Sequence, residues 1–413
     1  MRDLILIMLF SGMTYIVWQQ AWTGILALAA VGYLHPQGYA FAGMYTFPAY
    51  SYFFLLTLLS FSRSKEWRSQ LWLKQQLNWL YDWRIILLLL LWLQFIWSSS
   101  QSLMPEYAWA RWTEVSKMFL GLLLTLLLID QPKKLLMLII TIALAISLVA
   151  FKGGYWALIY GANDRVYGPP NSHFHDNNSF AIAALMAVPL LFLWYSQINS
   201  KAHRLLILSL ILFCIIASLS SWSRGALLSM TVTSLVLAWY SPHRLSGIAA
   251  IVFFALCAFF LMPDDWLTRM QTLQNYQSED SAASRLAVWQ IGITQGLKNP
   301  WHGWGFDSWT FVAIIRDWHS AYIEMFAEHG FIGLFLWLGL LLGSILRLGW
   351  ISMQSRKKAE INWAGPYARM LQASLVAYGV GAFFLGISYW DFLFHLILLG
   401  VILDRLIKSS VKR

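Results

Sequence analysis

Charge is scarce in this chain of 413 residues: Asp, Glu, Lys and Arg make up 12% of it. That is about half of what a soluble domain carries, so an ordinary water-facing globule is excluded. Acids are scarcer than bases, 19 against 29, giving a formal charge of +10. There are two cysteines, Cys214 and Cys257, both inside apolar runs. They read as small packing residues, and neither a disulfide framework nor a metal cluster is suggested. No GxxxxGKS/T, GxSxG or HExxH pattern occurs, which speaks against ATPase, serine hydrolase and zinc protease classes. Residues 3–34 are apolar but show no small-residue cleavage site leading into a soluble chain, so no signal peptide is evident. Internal repeats and low-complexity segments are also missing.

What is present is apolar. Hydrophobic residues form 59% of the chain, and mean hydropathy is +0.58. Apolar stretches of roughly 17 to 25 residues recur along its length, which predicts an all-α, polytopic integral membrane protein with a single membrane domain over 1–413. Many of the 24 Trp lie near the ends of these stretches, as interfacial aromatic belts do. The excess positive charge then reflects positive-inside topology rather than nucleic-acid binding. Basic loops at 63–84, Lys133–Lys134, Lys201–Arg204, His243–Arg244, 356–358 and the C-terminal tail orient the spans. Spans are expected near 41–62, 85–98, 113–130, 134–151, 178–196, 205–221, 225–240, 246–262, 321–346, 366–386 and 389–404. Residues 3–34 are long for one helix and short for two. Taken as one broken span they bring the total to about 12, with both termini cytoplasmic.

This topology puts 20 of the 29 Lys and Arg on the cytoplasmic side. The nine exceptions are Arg111, Lys117, Lys152, Arg165, Arg224, Arg269, Arg285, Lys298 and Arg316. Two non-cytoplasmic segments stand out, a loop at 152–178 and a large polar segment at 263–320. Within the latter, 282–297 has the spacing of an amphipathic helix with Leu286, Trp289, Ile293 and Leu297 on one face, suited to lie on the membrane or cap the bundle.

Several polar residues invite chemistry. Asp317 has the character of a helix N-cap, which would make His319 the second helical residue, where the helix dipole disfavours imidazolium and Asp317 favours it. His319 is either a general base or an interfacial His hydrogen-bonded to a neighbour; Tyr322 follows on its face. Arg224 either snorkels to the interface or points inward to hold an anion. Arg285 either pairs with nearby Glu279 and Asp280 or grips phosphate, which its planar fork suits. Arg165 precedes a rigid Gly168-Pro169-Pro170 turn that reads as a connector or a substrate-gripping loop. His173, His175 and Asp176 lack a fourth ligand, so no metal site is expected.

With those residues in view, the chain resembles the O-antigen ligase family, the bacterial Wzy_C-type membrane glycosyltransferases. Four pieces carry the likeness: "RVYGPPNSHFHDNNSFAIAALMAVPLL" (165–191), "SWSRGALLSM" (221–230), "SRLAVWQIGITQGLKNPWHGWGFDSW" (284–309) and "HSAYIEMFAEHGFIGLFLWLGL" (319–340). The first piece, with "MPEYAWARWTEVSKMFL" (104–120), is similar to a subgroup found beside exosortase systems. The resemblance implies a GT-C-like glycosyltransferase of the bacterial inner membrane, with 263–320 a helical periplasmic segment. It implies inverting, metal-independent transfer of a glycan from undecaprenyl pyrophosphate to a sugar hydroxyl of lipid A–core, with no cofactor. By the same resemblance His319 is the general base, Arg224 and Arg285 bind pyrophosphate, and Arg165 and Tyr322 are further substrate contacts. "NSHFHDNN" is richer in His than the family pattern. An O-antigen polymerase or a protein O-oligosaccharyltransferase would share the donor chemistry. A transporter would instead place ionisable groups at mid-span, whereas here they gather at one face.

Overall fold

The computed structural model describes residues 2–41, 43–64, 80–241, 280–312 and 317–411, with single positions 245, 248, 252, 263 and 266; at 280–283, 311, 312 and 411 only the backbone is described. The expected span at 246–262 apart from 248 and 252, most of the basic loop 63–84, His243–Arg244, Cys257, Arg269, Glu279 and Arg316 lie outside these residues.

Among the described residues the chain is all-α, in thirteen helices: α1 (Arg2–Gln19), α2 (Thr23–Leu34), α3 (Ala49–Arg63), α4 (Trp83–Ser100), α5 (Pro105–Leu128), α6 (Pro132–Ile159), α7 (Asn177–Gln197), α8 (Lys201–Leu219), α9 (Arg224–Tyr240), α10 (Asp280–Lys298), α11 (Ala321–Ser355), α12 (Ala364–Gly381) and α13 (Asp391–Val411). Local chemistry sets their ends. Asp82, Asp176 and Ser223 accept first-turn N–H groups of α4, α7 and α9, and Pro opens α5 and α6. Five helices, α4, α6, α7, α8 and α11, have the length and apolarity to cross a membrane. From residue 41 onward, each expected span outside 246–262 overlaps a helix, with ends shifted by up to nine residues.

The N-terminal segment differs from the expected single broken span. The chain reverses at Gln20–Trp22, and α1 and α2 form an antiparallel hairpin. The guanidinium of Arg2 sits 4.7 Å from the Phe41 ring centre, and Asp3 accepts the Phe41 N–H at 3.1 Å. At the other end, Arg63 stacks on Trp18 at 3.9 Å and Lys134 lies 5.7 Å from the Trp22 ring. Arg2 therefore belongs to the end of the bundle that holds Lys152 and Arg165, not to the end of Arg63 and Lys134. Twelve residues make α2 only about 18 Å long, too short to be read as a separate span from hydropathy.

The core is built around α7, whose "FAIAALMAVPLLFL" is apolar on every face and buried on every face. It packs against α6, α8, α9 and α12. Helix α11 packs on α4, α10 and α12. At the basic end, Asp404 accepts from Arg347 at 2.6 Å and from Arg84 at 2.5 Å, and Arg84 also binds Asp82 at 2.7 Å. A guanidinium as buried as that of Arg84 is tolerated only because two carboxylates face it.

Helix α11 is interrupted. Gly330 has φ 66° and ψ −170°, outside the helical region, and divides 321–329 from 331–355. The break lies nine residues into the helix, about 14 Å along its axis. Residues 300–305, "PWHGWG", dip to that depth and satisfy the opened backbone. Trp304 N–H donates to Ala327 O (3.1 Å), Gly305 N–H to Glu328 O (2.9 Å), and Phe331 N–H to Pro300 O (2.7 Å). Gln94 of α4 donates to His329 O (2.9 Å) and Trp301 O (3.2 Å). Irregular backbone at such depth requires this complete satisfaction. Glycine is needed on both sides, since a Cβ on Gly330 would lie 2.5 Å from the Trp301 carbonyl carbon and one on Gly303 would lie 2.4 Å from that of Glu328.

Candidate functional site

Helix α11 begins at Ala321, four residues after Asp317, so the expected N-cap is displaced. Ser320 occupies the cap position with extended backbone and no side-chain cap bond. The Asp317 carboxylate instead takes the N–H groups of Trp318 and His319, the same chemistry spent on a tighter turn. His319 is therefore not helical. Its φ is 51°, in the left-handed region, which costs a non-Gly residue roughly 1–2 kcal/mol. Strain of this kind collects at functional sites. Its side chain is half-buried, while Trp318 before it is wholly buried.

Trp318 is locked in turn. Its indole N–H donates to Glu328 at 3.1 Å, and the other Glu328 oxygen accepts from Tyr389 at 2.6 Å. The Tyr389 hydroxyl lies 2.8 Å from His329 Nε2, and His329 Nδ1 lies 2.6 Å from the Ser98 hydroxyl. Glu324, also buried, binds the N–H of Ser388 at 3.0 Å and its hydroxyl. A polar chain thus runs from α4 through the first half of α11 to the 382–390 loop, ending beneath His319. Arg111 of α5 pairs with Glu114 at 2.8 Å and sits in the field of Asp307 and Glu324. Burial, aided by the charge of Asp307, pushes the Asp317 carboxyl up to about 6, against its backbone bonds and Arg111. Burial also raises Asp307.

The predicted Arg residues approach this turn on separate elements. Helix α10 packs on the first half of α11 through a stripe of small residues: a Cβ on Gly292 would fall 2.4 Å from Ile323 and 3.0 Å from the Trp318 ring, and one on Gly296 would fall 2.6 Å from Phe326. Arg285 lies on that stripe two turns earlier, about 10 Å further along the axis toward the end from which α11 starts. The expected apolar face lies away from this stripe: Leu286, Ile293 and Leu297 are exposed and Trp289 is half-buried. Arg224 opens α9. Next to it, Gly225 abuts Phe384 of the 382–390 loop, and Gly386 of that loop presses on the Asp317 carboxylate. Tyr322 donates to Gly379 O at 2.8 Å and stacks on Phe383, so it ties α11 to α12. Arg165 stands apart from these groups. It is exposed, 5.9 Å from the Trp222 ring, on a segment joined to the 220–222 turn by Val166 N–H to Ser220 O and Trp222 indole N–H to Ala162 O.

Trp318, Glu324, Glu328, His329, Tyr389 and Arg111 carry no role that the sequence assigns, and Asp317 was expected only as an N-cap beside His319. Two signals were available: Arg111 is among the cations at the wrong end for the charge rule, and "AEHG" interrupts an apolar run. Among the described residues no three His, Cys, Asp or Glu side chains converge to hold a metal.

Comparison with known proteins adds identity to this geometry. Residues 206–338 match the O-antigen ligase family (Wzy_C), a stretch that contains Arg224, Arg285, His319 and Tyr322 but not Arg165. Residues 1–200 match a family of unknown function (DUF5935). No curated protein matches the chain. The chain is a multi-pass membrane protein whose residues 206–338 are similar to the O-antigen ligase family.

Proposed function

We propose that the protein is an O-antigen ligase of the bacterial inner membrane, acting on the periplasmic face. It moves a glycan from undecaprenyl pyrophosphate to a sugar hydroxyl of lipid A–core. The reading is carried by the 317–319 turn, in which a carboxylate holds the backbone of a half-buried histidine in a strained conformation at the end of the bundle. In this scheme the acceptor hydroxyl gives its proton to the His319 imidazole as its oxygen attacks the anomeric carbon from the face opposite the phosphate. The anomeric C–O bond to phosphate breaks, and its electron pair leaves with undecaprenyl pyrophosphate. Arg224 and Arg285 neutralise that charge, and Asp317 favours the imidazolium that forms. Tyr322 serves as a positioning residue through Gly379.

Purified protein, a polyprenyl-pyrophosphate glycan and lipid A–core, without nucleotide and with EDTA, test the reading. Glycan should be found on lipid A–core, and His319→Ala should produce none while remaining folded. Product on a second lipid-linked glycan or on a Ser/Thr peptide would refute ligation in favour of a polymerase or a protein O-oligosaccharyltransferase.

A further inference from the structure

A groove of about 710 Å³ opens between α1, α6 and the 36–41 and 165–170 connections, at the same end of the bundle as His319. Three cations line it, Arg2, Lys152 and Arg165. Among the described residues no carboxylate forms an ion pair with any of them. Each rests near an aromatic ring instead: Arg2 4.7 Å from Phe41, Lys152 4.2 Å from Tyr39, and Arg165 5.9 Å from Trp222. An aromatic face supports a cation but leaves its N–H groups open to an acceptor. Interfacial belts account for exposed Trp and Tyr; they do not account for three like charges gathered without an ion-paired carboxylate among the described residues.

The groove continues into a second pocket of about 270 Å³ that shares Arg2, Tyr39, Val149 and Lys152 and is otherwise lined by Leu34 and Leu148. Leu148 lies one turn of α6 beyond Lys152, away from the helix end, so the apolar slot runs deeper than the charges. Cations above, aromatics at the rim and an aliphatic slot below together fit an amphiphile better than a free anion. The groove falls within residues 1–170, outside the ligase-family match.

We propose that this groove binds the phosphorylated sugar headgroup of an anionic glycolipid, with an acyl chain in the Leu34–Leu148 slot. That this lipid is the acceptor rests on the ligase reading; the binding does not. The test measures binding of the full-length protein in detergent to a bis-phosphorylated, acylated disaccharide (lipid A) and to the same lipid after dephosphorylation, with inorganic phosphate as competitor. Wild type should prefer the phosphorylated lipid by at least tenfold. The Arg2→Gln/Lys152→Gln variant should bring that preference within about twofold, and Arg2→Lys should keep it. Should the double variant not fold, Arg165→Gln at its exposed position should lower the preference at least threefold. An undiminished preference in the variants, or displacement of the lipid by equimolar phosphate, would overturn the proposal. Transfer assayed in parallel separates the two readings: binding without transfer removes the ligase function alone, and transfer with a charge-insensitive groove removes the docking site alone.

Discussion

Asp317→Asn should make the protein more stable and less active at once. The carboxyl moves from 3.8 to about 6 on folding. At about 1.4 kcal/mol per pH unit, ionising it in the native state would cost about 3 kcal/mol if it were wholly sequestered. Its side chain is half-buried, so solvent screening leaves roughly 1–2 kcal/mol. Because the folded state holds this proton more tightly than the unfolded chain, the group favours folding below about pH 4. That advantage is lost as pH rises through about 6. Asparagine keeps an oxygen for the Trp318 and His319 N–H groups and has no proton to lose. The variant should therefore be more stable by about 1–2 kcal/mol above pH 6, with the gap closing near pH 4. Transfer should fall by about 5- to 30-fold, the same energy withdrawn from the imidazolium, and its pH profile should lose the ionisation near 6 that Asp317 contributes. Thermal unfolding from pH 4 to 8 and the initial transfer rate are the two assays. A variant less stable than wild type at pH 7.5 would make Asp317 a structural prop, and an undiminished rate would detach it from His319.

Three further changes probe the frame. Gly330→Ala places a Cβ in a backbone region open only to glycine, against the Trp301 carbonyl carbon, and should cost about 3 kcal/mol or more, read as loss of monodisperse protein in size-exclusion chromatography. Gly292→Leu should wedge α10 away from Ile323 and Trp318, lowering stability by about 1–3 kcal/mol together with transfer, whereas Ile293→Ala on the exposed face should stay within about 0.5 kcal/mol. Arg285→Ala should raise the apparent KM for the polyprenyl donor more than that for lipid A–core, with partial recovery in Arg285→Lys because a point charge replaces a planar fork.

The apolar spans were legible because length and hydropathy alone fix them, as α6 and α7 show. The N-terminal hairpin was not, since twelve residues in α2 fall below any span length and only contacts such as Arg63 with Trp18 reveal the reversal. The N-cap of α11 was misassigned because an Asp followed by an apolar run is equally consistent with an N-cap and with the tighter turn that Asp317 makes. The polar chain beneath His319 was out of reach for a different reason. Its partners Ser98, Glu328, His329 and Tyr389 are separated by up to 291 positions in the chain, and nothing in one sequence tells which distant hydroxyl faces which imidazole. The approach of α10 was half-legible: the exposed Leu286, Ile293 and Leu297 face declared an amphipathic helix, but the packing side is a stripe of glycines, which hydropathy does not register.

The interruption at Gly330 has a mechanical consequence. Because carbonyls 327–329 are bonded by the 304–305 backbone and by Gln94, residues 300–305 and the first half of α11 are clamped to α4 and cannot slide independently. A hydrocarbon tail reaching His319 from the side cannot part residues 300–305 from α11 without breaking that clamp. On the ligase reading, a polyprenyl chain arriving from the side would meet the flank of α10 that shows Leu286, Ile293 and Leu297.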